Sequence, residues 1–430
     1  MRQRMRQMIR STLPALAVAL LAACAAPANT QNTAPLTTGF SATQLDSMSA
    51  RVRADVAQGR IPGAVYLVAR NGSIVNTQTI GWQDAAAKVP MRPDSIFRIY
   101  SMSKPIVSVA VMMMVEDGRI QLADPVSKYL PELKDLRVGV EKTDAAGKPV
   151  LELVPAQREM TVQDLLRHTS GLTYGVFGKS LVKEEYKRLD VDATEQSNTE
   201  FIARLAKVPL QFQPGTTWEY SRSTDVLGAL LERVSGQTLA THLQQRIFTP
   251  LQMKDTGFWV PPAQQGRIAE PFAVDPDSKV PVGLIDVRRA PKLESGGGGL
   301  VSTAADYFRF AQMLLNGGEI DGVRLLSPKT VAYMTADHLG VVGARSLARG
   351  AAYLPGPGYG FGLGFGTRTG IGESATPGSV GDYYWGGVGG TYFWVDPKEK
   401  TVAIWMMQAP GQREYYRAWF RNTVYSAMTP

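Results

Sequence analysis

The stretch Tyr100-Ser101-Met102-Ser103-Lys104-Pro105-Ile106-Val107-Ser108-Val109-Ala110-Val111-Met112-Met113-Met114-Val115, closed by Asp117-Gly118, decides how this chain is read. From Ile106 to Val115 it is apolar on every face, which predicts a helix buried all round in a large core. A serine and a lysine three positions apart at its start share one face, so the Lys104 amine can reach the Ser101 hydroxyl. Pro105 is tolerated because a first helical turn needs no backbone donor there. The free N–H groups and positive dipole end at this terminus favour a developing alkoxide or oxyanion beside Ser101. Burial is expected to lower the Lys104 pKa and make the amine a usable base. A second Ser-x-x-Lys pair, Ser180 to Lys183, lies in a charged stretch and reads as an exposed helix face.

At 430 residues the chain can bury a large core, as one unit or as two subdomains. Hydrophobic residues at 44% and charged residues at 20% describe an ordinary globular protein. The formal net charge is +8, and removal of a leader holding Arg2, Arg4, Arg6 and Arg10 would leave about +4. No basic cluster interleaved with aromatics occurs, so nucleic acid is not an expected partner. The arginine-rich start is followed by an apolar segment, Leu13 to Ala23, too short to span a bilayer. It ends in Leu21-Ala22-Ala23-Cys24, which resembles a bacterial lipoprotein signal whose cysteine is lipidated and becomes the mature N-terminus. Residues 1–23 are therefore expected to be a signal peptide, with an ordinary secretory signal as the alternative, and 24–40 a flexible tether. Either way the protein is expected to be exported. The lipoprotein reading makes it periplasmic and gives it membrane contact only through an anchor on Cys24. Cys24 is the one cysteine, so no disulfide forms within the chain.

The folded body is expected to span 41–430. Helical spacing appears at Leu45 to Val56, and two β-like runs flank Asn71-Gly72, a strong hairpin signal. From Thr161 to about Leu251 the pattern is mostly helical, including Thr224 to Val234 with Gly236 as a C-cap. A further helix, Ala304 to Leu315, precedes β-like runs at Tyr392 to Val395 and Thr401 to Met407 and a last helix near Glu414 to Met428. Strands at both ends with helices between predict an α+β fold, an α/β sandwich. Its antiparallel sheet is built from both chain ends and flanked by helices, with a mostly helical insertion at about 120–295.

Three distant segments now resemble one family, the serine β-lactamase and penicillin-binding fold, most closely its class C branch and the family VIII carboxylesterases. Phe97-Arg98-Ile99-Tyr100-Ser101-Met102-Ser103-Lys104, with Asp124-Pro125-Val126-Ser127-Lys128-Tyr129-Leu130-Pro131, is similar to the family's nucleophile region. Thr161 to Leu172 is similar to its helix and turn, and Pro214 to Ser221 to its second catalytic segment. The resemblance implies Ser101 as nucleophile, with Lys104 and Tyr220 sharing proton transfer. The family's Tyr-x-Asn here ends in Arg222, so its polar contact to a substrate amide is missing. In place of the family's Lys-Thr-Gly stands Trp385-Gly386-Gly387-Val388, similar to family VIII esterases, with Trp385, Gly386 and Gly387 as substrate-binding residues. An aromatic wall in place of a point charge favours neutral or apolar esters. The family pattern also implies an oxyanion hole from the backbone N–H groups of Ser101 and Val388.

The expected activity is a serine carboxylesterase cleaving short-chain esters, with weak β-lactam hydrolysis possible through the shared acyl-enzyme. No metal or cofactor is required. A β-lactamase or D-Ala-D-Ala peptidase is the runner-up, and an inactive lipid-anchored binding protein the reading from another class. Gly296 to Gly299 lacks phosphate-loop spacing and reads as close backbone packing. His168, at a helix end, reads as a structural hydrogen-bond partner, and His168, His242 and His338 lack metal spacing. No Gly-x-Ser-x-Gly elbow occurs. Residues 135–159 read as a hairpin, either near the site mouth or simply exposed.

Overall fold

The computed structural model describes residues 39–348 and 356–429; the predicted leader, Cys24 and the tether as far as residue 38 lie outside the described residues. The chain runs through α1 (Ala42–Ala57), β1 (Gly63–Arg70), β2 (Ser73–Asp84), β3 (Val89–Pro90), β4 (Phe97–Arg98) and α2 (Ser103–Glu116). The middle holds β5 (Arg137–Thr143), β6 (Pro149–Pro155), α3 (Val162–Leu166), α4 (Leu181–Arg188), α5 (Asn198–Leu205), α6 (Ser223–Ser235) and α7 (Leu239–Leu243). There follow β7 (Val301–Ser302), α8 (Ala304–Leu315), β8 (Glu319–Ile320), β9 (Val323–Arg324), α9 (Pro328–Met334) and α10 (Val341–Ala348). The last part is β10 (Tyr359–Phe361), β11 (Gly366–Arg368), β12 (Tyr383–Gly386), β13 (Tyr392–Asp396), β14 (Thr401–Met407) and α11 (Arg413–Ser426).

Eight strands form one sheet in the order β10-β11-β12-β13-β14-β1-β2-β3, antiparallel at every pairing. The two ends of the chain meet where β14 pairs with β1, Tyr66 opposite Trp405 and Val68 opposite Ala403. Successive side chains point to opposite faces of a strand, so the apolar runs of β1, β13 and β14 feed two cores at once. Tyr66, Val68, Trp394 and Trp405 pack with Val52 of α1 and Tyr416 and Phe420 of α11. Val65, Leu67, Phe393, Ile404 and Met406 pack on the other face with α2, α8 and the middle helices. Strands buried on both faces have no polar side to alternate with, which is why they read as continuous hydrophobic runs. The hairpin between β1 and β2 turns at Asn71 and Gly72, whose φ values of +54° and +78° suit a two-residue turn matched to strand twist.

Every residue of α2 from Ser103 to Met114 is buried, and Gly118, at φ +72°, ends it. Truncating one of its core side chains, such as Met114, costs about 2–5 kcal/mol. The helix is thus a fixed post for whatever its N-terminus carries. The β5–β6 hairpin docks by the amide of Gly139, which donates to Leu210 O at 2.9 Å, and by close packing against Val182 of α4.

The second Ser-x-x-Lys pair departs from expectation. Ser180 caps α4 by accepting from the amide of Lys183 at 3.1 Å, and the Lys183 side chain is only 13% exposed. Its Nζ donates to Phe177 O at 2.6 Å and to Glu219 Oε1 at 2.8 Å. A charged stretch suggests solvent, but this lysine finds its counter-ion in a residue 36 positions away, which local sequence does not disclose.

Candidate active site

Ser101 lies in a single 3₁₀ turn, Tyr100–Met102, leading into α2. Tyr100 has φ +44°, a strained conformation for a bulky residue, and its hydroxyl is fixed by accepting from the amide of Ile285 at 2.9 Å. Ser101 faces a cavity of about 1230 Å³. Lys104 Nζ is 3.2 Å from Ser101 Oγ, and Tyr220 Oη is 2.7 Å from the same oxygen. The structure therefore brings together all three side chains that the sequence singled out. Lys104 is 1% exposed and also donates to Gly297 O at 2.6 Å and Tyr174 Oη at 3.1 Å. Its Nζ stands 4.6 Å from the centre of the Tyr220 ring.

The direction of the Lys104 shift reverses expectation. Burial alone pulls the ammonium down, but the phenols of Tyr174 and Tyr220 and the Asp225 carboxylate outweigh it, and the net shift is upward. Lys104 accordingly rests as an ammonium. Tyr174 is pushed up to about 12, chiefly by burial. His168 is held well below its ordinary value by burial and then by Lys104, so its imidazole is neutral. Its Nδ1 lies 3.1 Å from Ser221 Oγ and its ring packs 5.1 Å from that of Tyr220, the structural role read from sequence.

Tyr220 stands in an aromatic cage. Tyr174, Trp385 and Trp218 approach it with ring centres 5.4, 5.5 and 6.1 Å away. The Trp385 indole N–H also points at Tyr220 Oη, 3.4 Å distant. Trp385, Gly386 and Val388 line the cavity; Gly387 does not. A Cβ on Gly387 would lie 2.3 Å from Ile99 O, so this glycine packs the chain after β12 against the nucleophile segment. The Gly387 carbonyl accepts from Arg417 Nη2 at 2.7 Å. Among the described residues neither the Ser101 nor the Val388 amide donates a hydrogen bond, and both residues line the cavity.

Arg222, in the position of the family's asparagine, is committed elsewhere. It bonds Asp192 through Nε at 2.7 Å and Nη2 at 2.6 Å, approaches Asp225 at 3.4 Å, and lies over the Tyr174 ring at 5.0 Å. None of residues 137–155 lines the cavity, so the β5–β6 hairpin is not at the mouth: its anchor, Leu210, holds it elsewhere. Sequence reasoning missed Tyr174, Asp225 and Gly297. In the sequence Gly297 reads only as part of a packing run. Gly296 does pack closely, a Cβ there falling 2.6 Å from Thr224 O, but its neighbour supplies the carbonyl that holds Lys104. Among the described residues no three of His, Cys, Asp or Glu assemble as a metal-binding group.

The antiparallel sheet with helices on both faces agrees with what comparison shows. A family model described as Beta-lactamase matches residues 48–425, and the chain belongs to that family. It is a β-lactamase-fold serine hydrolase. Protein Rv1367c of Mycobacterium tuberculosis is 35% identical over 367 residues, covering 85% of this chain and 90% of that one. Esterase EstB of Burkholderia gladioli is 32% identical over 378 residues, covering 82% and 88%. Among solved structures, EstCE1, described as a hydrolase with promiscuous acyltransferase activity, is 27% identical with a TM-score of 0.74, covering 89% of this chain and 99% of that one.

Proposed function

We propose that the protein is a carboxylesterase that cleaves short-chain esters through an acyl-enzyme on Ser101. The observation that carries this is the 2.7 Å approach of Tyr220 Oη and the 3.2 Å approach of Lys104 Nζ to Ser101 Oγ. Oγ attacks the ester carbonyl carbon as its proton passes to Tyr220 Oη, beside the Lys104 ammonium. The free amides of Ser101 and Val388 receive the oxyanion. Collapse breaks the bond to the alcohol oxygen, and the proton moves from Tyr220 to that oxygen. Water then adds to the acyl-serine, gives its proton to the same route, and the acid departs as Ser101 regains its hydrogen.

The apolar wall of Trp385 and the engagement of Arg222 with Asp192 and Asp225 support esters over β-lactams, whose amide and carboxylate find no free polar partner at either place. The esterase EstB, as a relative, points the same way. The test is turnover of p-nitrophenyl esters of increasing chain length against a chromogenic cephalosporin, with Ser101→Ala as control. Serine-dependent ester turnover well above that of the cephalosporin is expected; the reverse ranking makes this a β-lactamase with an unusual third motif. We also propose export with a lipid anchor on Cys24, to be checked by mass spectrometry of the membrane-bound N-terminal peptide.

A further inference from the structure

We propose that Asp225 is a positioning residue of the reaction: through the 295–297 turn it holds the Gly297 carbonyl on Lys104 and supplies the buried negative charge against which Lys104 is balanced. Asp225 is 1% exposed, in the first turn of α6, and does not touch Ser101. Its Oδ1 accepts from the Gly297 amide at 3.1 Å and from the Ser295 hydroxyl. The carbonyl of that same Gly297 receives the shortest of the Lys104 hydrogen bonds, at 2.6 Å. Only glycine fits: a Cβ on Gly297 would stand 2.6 Å from Asp225 Oδ2. A second route runs through Arg222, which spans from Asp225 Oδ2 at 3.4 Å to the face of Tyr174, the phenol that also accepts from Lys104.

The groups facing Lys104 are Ser101 before α2, His168 and Tyr174 in the segment after α3, Tyr220 before α6, and Gly297 O. His168 is neutral and Arg222 is matched by Asp192, which leaves Asp225 as the carboxylate among the causes that raise Lys104. An ammonium without such a charge nearby sheds its proton more readily when buried. The device therefore does two separable things, one geometric and one electrostatic. Asp225→Asn keeps an acceptor for Gly297 and Ser295 while removing the charge; Ser295→Ala loosens the turn while keeping the charge.

The proposal rests on Ser101 and Lys104 acting as described above, so the first measurement is fluorophosphonate modification of Ser101 in the wild type. Failure of that modification overturns both. With modification established, pH profiles of kcat/KM for a short ester are compared. Wild type is expected to hold its rate to about pH 10, whereas Asp225→Asn develops a falling alkaline limb below the ordinary lysine value of about 10.4 and loses roughly tenfold to a hundredfold in kcat, with KM little changed. Ser295→Ala is expected to lose less rate and keep the wild-type limb. Gly297→Ala, which pushes the carboxylate away, should behave as Asp225→Asn does. Circular dichroism identifies any variant that does not fold, and the readout then passes to Gly297→Ala. An alkaline limb unmoved in folded Asp225→Asn or Gly297→Ala overturns the positioning role while leaving the nucleophile intact.

Discussion

Ser-x-x-Lys occurs in two places in this molecule, and the two lysines have similar surroundings up to a point. Each donates to a main-chain carbonyl 2.6 Å away, Lys104 to Gly297 and Lys183 to Phe177. They differ in the second partner. Lys183 closes on the carboxylate of Glu219 at 2.8 Å, and Ser180 spends its oxygen on capping α4. Lys104 has phenols and the Ser101 hydroxyl beside it, and the carboxylate of Asp225 reaches it through an intervening glycine. The first pair faces a cavity; the second pins the 173–177 segment to the chain just before Tyr220. The same spelling therefore yields a reacting pair or a clamp according to what stands at the lysine's tip.

The largest effect that separates the two belongs to the serines. Ser101→Ala is expected to lower ester turnover by roughly 10⁴-fold or more, while Ser180→Ala leaves the chemistry in place; initial rates on a p-nitrophenyl ester check both. Comparable loss from Ser180→Ala would erase the distinction. Tyr220→Phe keeps the aromatic cage and removes the oxygen 2.7 Å from Ser101, so kcat should fall about 10²- to 10⁴-fold with KM nearly constant.

Lys183→Met sharpens the comparison from the other side. It leaves Glu219 charged, partly buried and still bonded by Thr173 Oγ1 at 2.7 Å, so stability should fall by about 3 kcal/mol in urea denaturation. Activity should fall far less than for Lys104→Met, through displacement of Tyr174 and Phe177. Activity loss equal to that of Lys104→Met would make the second pair part of the chemistry.

His168 joins the two regions, its ring on Tyr220 and its carbonyl accepting from the Glu219 amide at 2.9 Å. Its folded pKa is depressed, so the unfolded chain binds the proton first. Its contribution is complete above the unfolded value of about 6.5 and is lost as pH falls toward the folded value, with a slope of up to about 1.4 kcal/mol per pH unit. His168→Gln should flatten that part of the stability curve. The smallest expected effect is the capping loss in Ser180→Ala, about 1 kcal/mol in the same denaturation experiment.

The elements legible in the sequence were those whose cause is local or periodic. The apolar run of α2 has no exposed face to conceal, Asn71-Gly72 can only be a tight turn, and Ala304–Leu315 was placed to the residue. Ser101, Lys104 and Tyr220 were legible because two stand three positions apart at the entry to α2 and the third lies in a segment of known resemblance. What stayed hidden depends on long-range contact. Asp225 meets Gly297 across 72 positions, Lys183 meets Glu219 across 36, and Gly387, just after β12, packs against Ile99 O, just after β4. The sign of the Lys104 shift is hidden from the sequence for the same reason. Burial could be foreseen from the apolar run, but the phenols and carboxylate that outweigh it come from elsewhere in the chain.

The central claim is that the first Ser-x-x-Lys pair, and not the second, is chemically reactive. The direct measurement is reaction of the purified protein with a fluorophosphonate, followed by intact mass and peptide mapping. The account predicts one adduct, on Ser101, lost in Ser101→Ala and strongly slowed in Tyr220→Phe. An adduct on Ser180, or none on any serine, would contradict it.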